Sequence, residues 1–145
     1  MSNTALYIKG LKVRYGAIEA LKGIDMEVKE GDVVAILGAN GAGKTTTLRT
    51  ISGLIEPAEG SILFYNHEIG KLEPEKIAAL GLSQSPEGRQ VFRDLTVEEN
   101  LKVGAFTVRD KKIVKEQFEK VYRYFPVLKE RKDQIASTLS GGEQQ

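Results

Sequence analysis

The chain has 145 residues, of which 41% are hydrophobic and 28% are charged, and its formal net charge is +1. These values are typical of one soluble globular domain, and the balanced charge gives no electrostatic reason to expect nucleic-acid binding. The absence of cysteine excludes disulfides and thiolate metal sites. With no leader-like or membrane-length apolar stretch, we expect a cytoplasmic protein.

Alternating apolar and polar residues predict antiparallel strands in residues 1–31. The alternating positions are Leu6 and Ile8, then Leu11, Val13 and Tyr15, and, after a break at Gly16, the run from Ile24 to Val28. Residues 30–32 read Glu-Gly-Asp, which predicts a turn into the next strand.

Residues 32–53 predict a strand, a glycine-rich loop and a helix. Residues 32–37 form a nearly continuous apolar run, as buried parallel strands do. Residues 38–45 read G-A-N-G-A-G-K-T, which is the pattern of a phosphate-binding P-loop. A helix is predicted to begin near Lys44 and to end at Gly53. The alternative is a glycine loop that only turns the chain.

Each residue type in this loop suits a phosphate ligand. We expect positive φ angles and a close approach to the ligand at the three glycines, and an anion nest from consecutive backbone amides. The Lys44 ammonium would bind the β- and γ-phosphates, and the Thr45 hydroxyl would bind Mg²⁺. The predicted phosphate-binding residues are Gly38, Ala39, Asn40, Gly41, Ala42, Gly43, Lys44, Thr45 and Thr46.

The residues after the P-loop helix predict short elements separated by turns. A turn at residues 57–60 precedes a strand at 61–65, and a loop at 66–70 contains the only histidine, His67, which we interpret as a surface residue. Pro74 predicts the first turn of a helix that Gly81 ends. Residues 81–84 predict a brief strand, and residues 86–88 a loop.

The last third of the chain predicts helices. Residues 96–99 form a capping box for a helix that runs through Leu101, and Asp110 predicts the cap of the next helix. That helix carries an apolar stripe of Val114, Phe118, Val121 and Phe125, and Pro126 stops the pattern. The charged residues around the stripe are interpreted as its solvated face.

Residues 139–145 read L-S-G-G-E-Q-Q, in which Ser140 and Glu143 predict another capping box. About a hundred residues after a P-loop, L-S-G-G also resembles the signature motif of the ATP-binding cassette (ABC) family. The resemblance implies that Ser140, Gly141 and Gly142 contact the γ-phosphate of ATP held by a second subunit. It also implies that Tyr15 stacks on adenine, although an ordinary strand tyrosine is the alternative.

Residues 91–101 resemble the stretch that follows the Q-loop of this family. The position of the Q-loop glutamine holds Glu87, whereas Gln84 lies three residues earlier. The resemblance implies catalytic roles for Lys44 and Glu87, and it implies that Glu87 also binds Mg²⁺. The alternative is that Glu87 is an exposed loop glutamate. Residues 86–92 and 139–145 resemble in particular the LivF-type ATPase subunits of branched-chain amino-acid importers.

After residue 47, no run of four apolar residues is followed by Asp-Glu. The family's Walker B aspartate, catalytic glutamate and switch histidine are therefore expected to lie outside this sequence, which resembles the N-terminal fragment of an ABC subunit. We expect the P-loop strand to lack parallel neighbours and to expose apolar surface and unpaired edges.

The sequence predicts an α/β fold of the ABC-type P-loop NTPases, truncated before Walker B. We divide it into an antiparallel β subdomain (1–31), half of a RecA-like P-loop core (32–89) and a helical subdomain (90–145). The resemblance implies an ATPase that uses ATP and Mg²⁺, pairs with a second ATPase subunit and drives membrane permease subunits from the inner face of the membrane. The fragment itself is expected to bind nucleotide at most.

Three alternatives stay open at this point. One is an ABC ATPase that acts on DNA or ribosomes rather than in transport, although no basic surface or coiled-coil insertion supports it. A P-loop kinase or GTPase would not need the residues at 140–142 or the aromatic at 15. The third is a non-catalytic interaction fragment.

Overall fold

The computed structural model describes residues 3–145, which form two compact units. The first unit is Met1–Gln84 and the second is Ser85–Gln145. The three-part division at residues 31 and 89 remains a prediction. No helix in the described part of the chain is long and apolar enough to cross a membrane.

The first unit contains a four-stranded antiparallel sheet. Its strands are β1 (Thr4–Tyr15), β2 (Ile18–Lys29), β3 (Glu59–Phe64) and β4 (His67–Glu68), in the spatial order β2-β1-β3-β4. Every neighbouring pair is antiparallel. The structure therefore confirms the antiparallel strands predicted from alternation.

A one-residue bulge in β1 explains why its apolar positions change from even to odd numbers. Between Ile8 and Leu11, β1 advances three residues while β2 advances two, and β3 shows the same offset. Gly10 lies in the bulge with a φ of 57°, and its amide donates to Asp25 Oδ1 at 2.6 Å. Because of the extra residue, Ile8, Leu11 and Val13 all face the core, where each is fully buried.

Two helices of the first unit border this core. Helix α1 (Lys44–Ile51) and helix α2 (Pro74–Ala79) contribute the buried residues Ile51 and Ile77. Gly53 follows α1 with a φ of 75°, as predicted for a residue that ends a helix. A Cβ at this position would lie 2.8 Å from Ile77 Cδ1, so glycine also permits the close approach of the two helices.

The predicted strands at residues 32–37 and 81–84 are absent from the structure, in which both segments are irregular. The side chains of Val33 and Leu37 are 100% and 89% exposed. No parallel neighbour for either segment exists among residues 3–145, and a parallel strand forms only when a neighbour satisfies its backbone groups. The expectation of exposed apolar surface at the P-loop strand is confirmed.

The region predicted as a loop around His67 forms a tight hairpin instead. Tyr65 and Asn66 have φ angles of 44° and 66°, which is the conformation of a two-residue hairpin turn. β3 therefore ends at Phe64, and His67 begins β4. The side chain of His67 is exposed, in agreement with its interpretation as a surface residue.

The second unit is helical. Its helices are α3 (Val97–Gly104), α4 (Lys111–Tyr124), α5 (Pro126–Glu130) and α6 (Gly141–Gln144), with a 3-10 turn at Ala136–Thr138. The predicted caps are confirmed: the Thr96 amide donates to Glu99 Oε2 at 2.7 Å, and the Lys112 amide donates to Asp110 Oδ1 at 2.8 Å. Pro126 follows the end of α4, as expected, but it also begins α5.

Candidate nucleotide-binding site

The P-loop uses its glycines for two different reasons. Gly41 and Gly43 have φ angles of 81° and 92°, as predicted. Gly38 does not have a positive φ, so the prediction of a left-handed conformation was wrong there. Its Cβ would lie 2.9 Å from the Cβ of Ala42. Glycine is therefore needed at position 38 because the loop folds back on itself.

The sheet fixes the position of Gly43, the residue directly before α1. A Cβ at Gly43 would lie 2.6 Å from Leu21 Cδ2 and 3.2 Å from the Ala20 carbonyl oxygen. Both neighbours belong to β2, and Leu21 is buried. The start of β2 thus determines where α1 begins and where its N-terminal amides point.

The ammonium of Lys44 folds over the beginning of the loop. Its Nζ donates to the carbonyl oxygens of Gly38 at 2.7 Å and Ala39 at 2.8 Å. An ammonium has three donors, so one remains for a ligand. The two carbonyls hold the positive charge beside the loop without neutralising it.

The loop offers several backbone donors to an anion. Within residues 3–145, the amides of Asn40, Gly41 and Gly43 have no hydrogen-bond acceptor, while the Ala42 amide is used by the Ala39 carbonyl at 3.1 Å. The first amides of α1 add further free donors, because a helix leaves its first turn unpaired. The first turn of α1 contains no acidic residue. This set of donors fits a phosphate group.

The structure separates Thr47 from Thr45 and Thr46 by the hydrogen bond that its hydroxyl makes. The hydroxyl of the buried Thr47 donates to the Gly43 carbonyl at 2.9 Å. Thr50, further along α1, likewise bonds to the Thr46 carbonyl at 2.8 Å. Thr45 is exposed, and its hydroxyl has no partner among the described residues. The Thr46 hydroxyl likewise has no partner there, so both hydroxyls are available to a cation, and the P-loop pattern assigns that role to Thr45. Residues 3–145 contain no group of three metal-ligating His, Cys, Asp or Glu side chains.

Tyr15 lies in the same unit as the P-loop, at the end of β1. It pairs across the hairpin with Ile18, and its side chain is 48% exposed. Leu21, which contacts Gly43, lies three residues beyond Ile18 along β2, a distance of about 10 Å. The hairpin therefore brings Tyr15 to the region of the loop, and its contact with adenine remains a prediction.

Gln84 and Glu87, the two residues considered for the Q-loop position, have different surroundings. The Ser52 hydroxyl at the end of α1 donates to Gln84 Oε1 at 2.7 Å, so Gln84 is already engaged within the first unit. Glu87 lies in the second unit, is exposed, and makes no hydrogen bond or ion pair with any described residue. Its carboxylate is free for a ligand, and its metal-binding role remains a prediction.

The Ser140–Gly142 segment lies at the start of α6, and the carboxylate of Glu143 accepts a hydrogen bond from its first amide. The Ser140 amide donates to Glu143 Oε2 at 2.8 Å, and Arg131 lies 3.2 Å from the same carboxylate. Hydrogen bonds from Ser140 lower the pKa of Glu143, with a smaller contribution from Arg131. This confirms the capping box predicted at this helix. The roles of residues 140–142 in nucleotide binding remain predictions.

Known proteins resemble this chain over most of its length. The family model described as ABC transporter matches residues 21–145. The high-affinity branched-chain amino acid transport ATP-binding protein BraG of Pseudomonas aeruginosa is 48% identical over 131 residues, which are 90% of this chain and 56% of that protein. The probable branched-chain amino acid transport ATP-binding protein LivF of Archaeoglobus fulgidus is 38% identical over 135 residues, or 93% and 57%.

Solved structures give the same result for the fold. The ATP-binding subunit of an ABC transporter superposes with a TM-score of 0.85 and 29% identity, over 97% of this chain and 57% of that one. The ADP conformation of another ATP-binding cassette gives a TM-score of 0.77 and 28% identity, over 97% and 61%. The chain thus spans little more than half the length of the relatives and structures named above, and the predicted ABC-type P-loop fold is confirmed. The chain belongs to the ABC transporter family.

Proposed function

We propose that the complete gene product is the ATP-binding subunit of a membrane importer for branched-chain amino acids, and that it hydrolyses ATP to drive transport. The observation that carries this proposal is the loop at residues 38–46, where the ammonium of Lys44 is held against the loop backbone and several loop amides have no acceptor among residues 3–145. The names of the relatives described above support the choice of transported substrate.

In this proposal each part of the site binds one part of ATP. The amides of the loop and of the first turn of α1 donate to the phosphates, and Lys44 adds a charged donor toward the β- and γ-phosphates. Tyr15 stacks on the adenine ring. Mg²⁺ supplies charge that offsets the phosphates when it is bound, and the hydroxyl of Thr45 and the carboxylate of Glu87 are the ligands that this chain offers.

We infer two protein partners for the same function. Ser140, Gly141 and Gly142 contact ATP bound by a second ATPase subunit, so hydrolysis requires a pair of subunits. Membrane permease subunits hold the pair at the inner face of the membrane. We expect no nucleic-acid partner, because the net charge of the chain is only +1.

The variant Lys44→Ala tests the nucleotide site. Loss of a charge-assisted hydrogen bond to phosphate is expected to lower ATP affinity about tenfold or more, since such a bond contributes about 1.5–3 kcal/mol. The measurement is titration calorimetry on the complete gene product. Lys71→Ala is the matched control, because Lys71 is exposed, lies in the first unit and forms no ion pair with any described residue. Equal ATP affinities for the two variants would contradict the proposal.

The transported substrate is tested separately, in cells that lack the gene. We expect uptake of labelled leucine, isoleucine and valine to fall, and to return when the gene is restored. Uptake of labelled glutamate serves as the control. Unchanged leucine uptake, or an equal loss for glutamate, would contradict the choice of substrate.

A further inference from the structure

In the second unit, the side chain of Arg89 lies against Gly141. A Cβ placed on Gly141 would collide with the carbon and both terminal nitrogens of the Arg89 guanidinium, so this group covers the glycine directly. Arg89 has a φ of 52° and follows Gly88, whose φ is 87°. A left-handed conformation is unfavourable for arginine, so the backbone here is held in an uncommon state that directs the side chain.

Polar interactions with residues 3–145 do not account for this position of Arg89. Its guanidinium forms no hydrogen bond or ion pair with another described residue. The contact with Gly141 is thus not accompanied by a hydrogen bond or ion pair of the guanidinium within residues 3–145. Because glycine has no side chain, position 141 leaves room for the guanidinium of Arg89.

A second contact joins the same two segments. Gln145, which follows α6, donates from Nε2 to Ser85 Oγ at 2.9 Å and, more weakly, to the Pro86 carbonyl at 3.4 Å. The loop at residues 85–89 is therefore attached to the α6 region at both of its ends. Glu87 lies between these attachments and has no hydrogen bond or ion pair of its own within residues 3–145.

Of the two connected segments, helix α6 is the one that is anchored to the rest of the second unit. Gln144 Nε2 donates to the carbonyl oxygens of Leu139 at 2.9 Å and Ala136 at 3.0 Å, and both of these residues are buried. Arg131 and Glu143 add an ion pair at 3.2 Å. The helix is short, but its side chains anchor it to the interior of the second unit. The loop, by contrast, is exposed and depends on the two attachments.

We propose that Arg89 is a positioning residue for Glu87: through its contact with Gly141 it makes the loop at 85–89 follow the Ser140–Gly142 segment. This proposal rests on the proposed function, in which that segment and Glu87 each contact a bound nucleotide. Placement of the segment on the nucleotide of the second subunit then sets the position of the Glu87 carboxylate. The two ends of the loop act together: Gln145 bonds to Ser85 at one end, and the Arg89 guanidinium covers Gly141 at the other.

The first test measures the motion of the loop without reference to activity. In the complete gene product, nitrogen-15 relaxation of the amides of residues 87–89 reports their motion on the picosecond to nanosecond timescale. Arg89→Ala is expected to increase this motion, whereas the control Arg109→Ala is not, because Arg109 is an exposed arginine of the same unit with no ion pair to another described residue. Equal relaxation in the two variants overturns the proposal.

The second test separates positioning from binding. Arg89→Ala is expected to lower kcat about three- to thirtyfold, the range of a coupling contribution, while the ATP dissociation constant stays unchanged. Gly141→Ala is expected to displace the flexible end of Arg89 and to lower kcat as well. The variant that carries both Arg89→Ala and Gly141→Ala should then have a kcat no lower than that of the slower single variant. If the two single variants lower kcat additively, or if Arg89→Ala lowers the unfolding temperature, the proposal is overturned and the role of Arg89 is only structural.

The same assay distinguishes failure of this inference from failure of the proposed function. If the unaltered protein does not hydrolyse ATP, or Lys44→Ala hydrolyses it normally, the proposed function is wrong and the role of Arg89 is overturned with it. If Lys44→Ala is inactive and Arg89→Ala has the kcat of the unaltered protein, the role of Arg89 alone is wrong.

Discussion

Replacement of Gly43 by alanine is the most direct perturbation of the P-loop scaffold. Two separate costs are expected. The first is the backbone conformation, since a φ of 92° is unfavourable for alanine. The second is steric, because the new Cβ would lie 2.6 Å from Leu21 Cδ2. Leu21 is only 3% exposed and cannot move aside without disturbing the core.

The magnitude follows from these contributions. A left-handed conformation costs a non-glycine residue about 1–2 kcal/mol, and alanine recovers about 0.4–1 kcal/mol by restricting the unfolded chain. Overpacking of a buried site adds about 1–3 kcal/mol. Gly41→Ala is the matched control, because Gly41 has a φ of 81° but no atom within 4 Å of its would-be Cβ. Gly43→Ala should therefore destabilise the protein by about 1–3 kcal/mol more than Gly41→Ala.

The free energy of unfolding is measured by urea denaturation, followed by far-ultraviolet circular dichroism, with comparison restricted to variants of equal m-value. Leu21→Ala should cost less stability in the Gly43→Ala background than in the unaltered protein, since the atom that collides is removed. Equal destabilisation by Gly41→Ala and Gly43→Ala would refute the steric part of the reasoning. So would strict additivity of Leu21→Ala and Gly43→Ala.

Three further predictions concern binding and pH. Tyr15→Ala should lower ATP affinity by about 1–3 kcal/mol, the contribution of stacking on a base, and should leave the affinity for inorganic triphosphate unchanged in calorimetry. Thr45→Val should remove most of the Mg²⁺ dependence of ATP affinity, whereas Thr47→Val should retain it, because only the second hydroxyl bonds to the backbone. The amide and then the hydroxyl of Thr96 lower the pKa of Glu99 from 4.5. The stability that this cap contributes should thus be fully present above pH 4.5 and be lost as pH falls through the pKa of Glu99 in the folded state. In measurements of the unfolding temperature against pH, Glu99→Gln should flatten this part of the profile.

Features that depend on neighbouring residues in the sequence could be predicted well. The caps at Thr96, Asp110 and Ser140 are each formed within three residues, so their side-chain types were enough to locate three helix starts. Alternation likewise located β1 and the second half of β2, and even the change of phase between Ile8 and Leu11 was visible in the sequence. Only the structure identifies that change as a bulge.

Features that depend on distant residues could not be predicted. The apolar run at residues 32–37 has the composition of a strand, but it forms one only beside a partner that the described residues do not provide. The contact of Arg89 with Gly141 spans parts of the chain that no local pattern relates. The P-loop pattern singles out Thr45, but only helix geometry shows that the Thr47 hydroxyl bonds to the Gly43 carbonyl.

The strand order also has a consequence during protein synthesis. β1 leaves the ribosome first and pairs with β2 almost at once, through the short turn between Tyr15 and Ile18. Its other edge must wait for β3, which is complete at Phe64, about 35 residues after the end of β2 at Lys29. At about 5–20 residues per second, the wait is roughly 2–7 s. During that interval the edge of β1 that later pairs with β3 is unpaired, and an unpaired strand edge is a place where another chain can add.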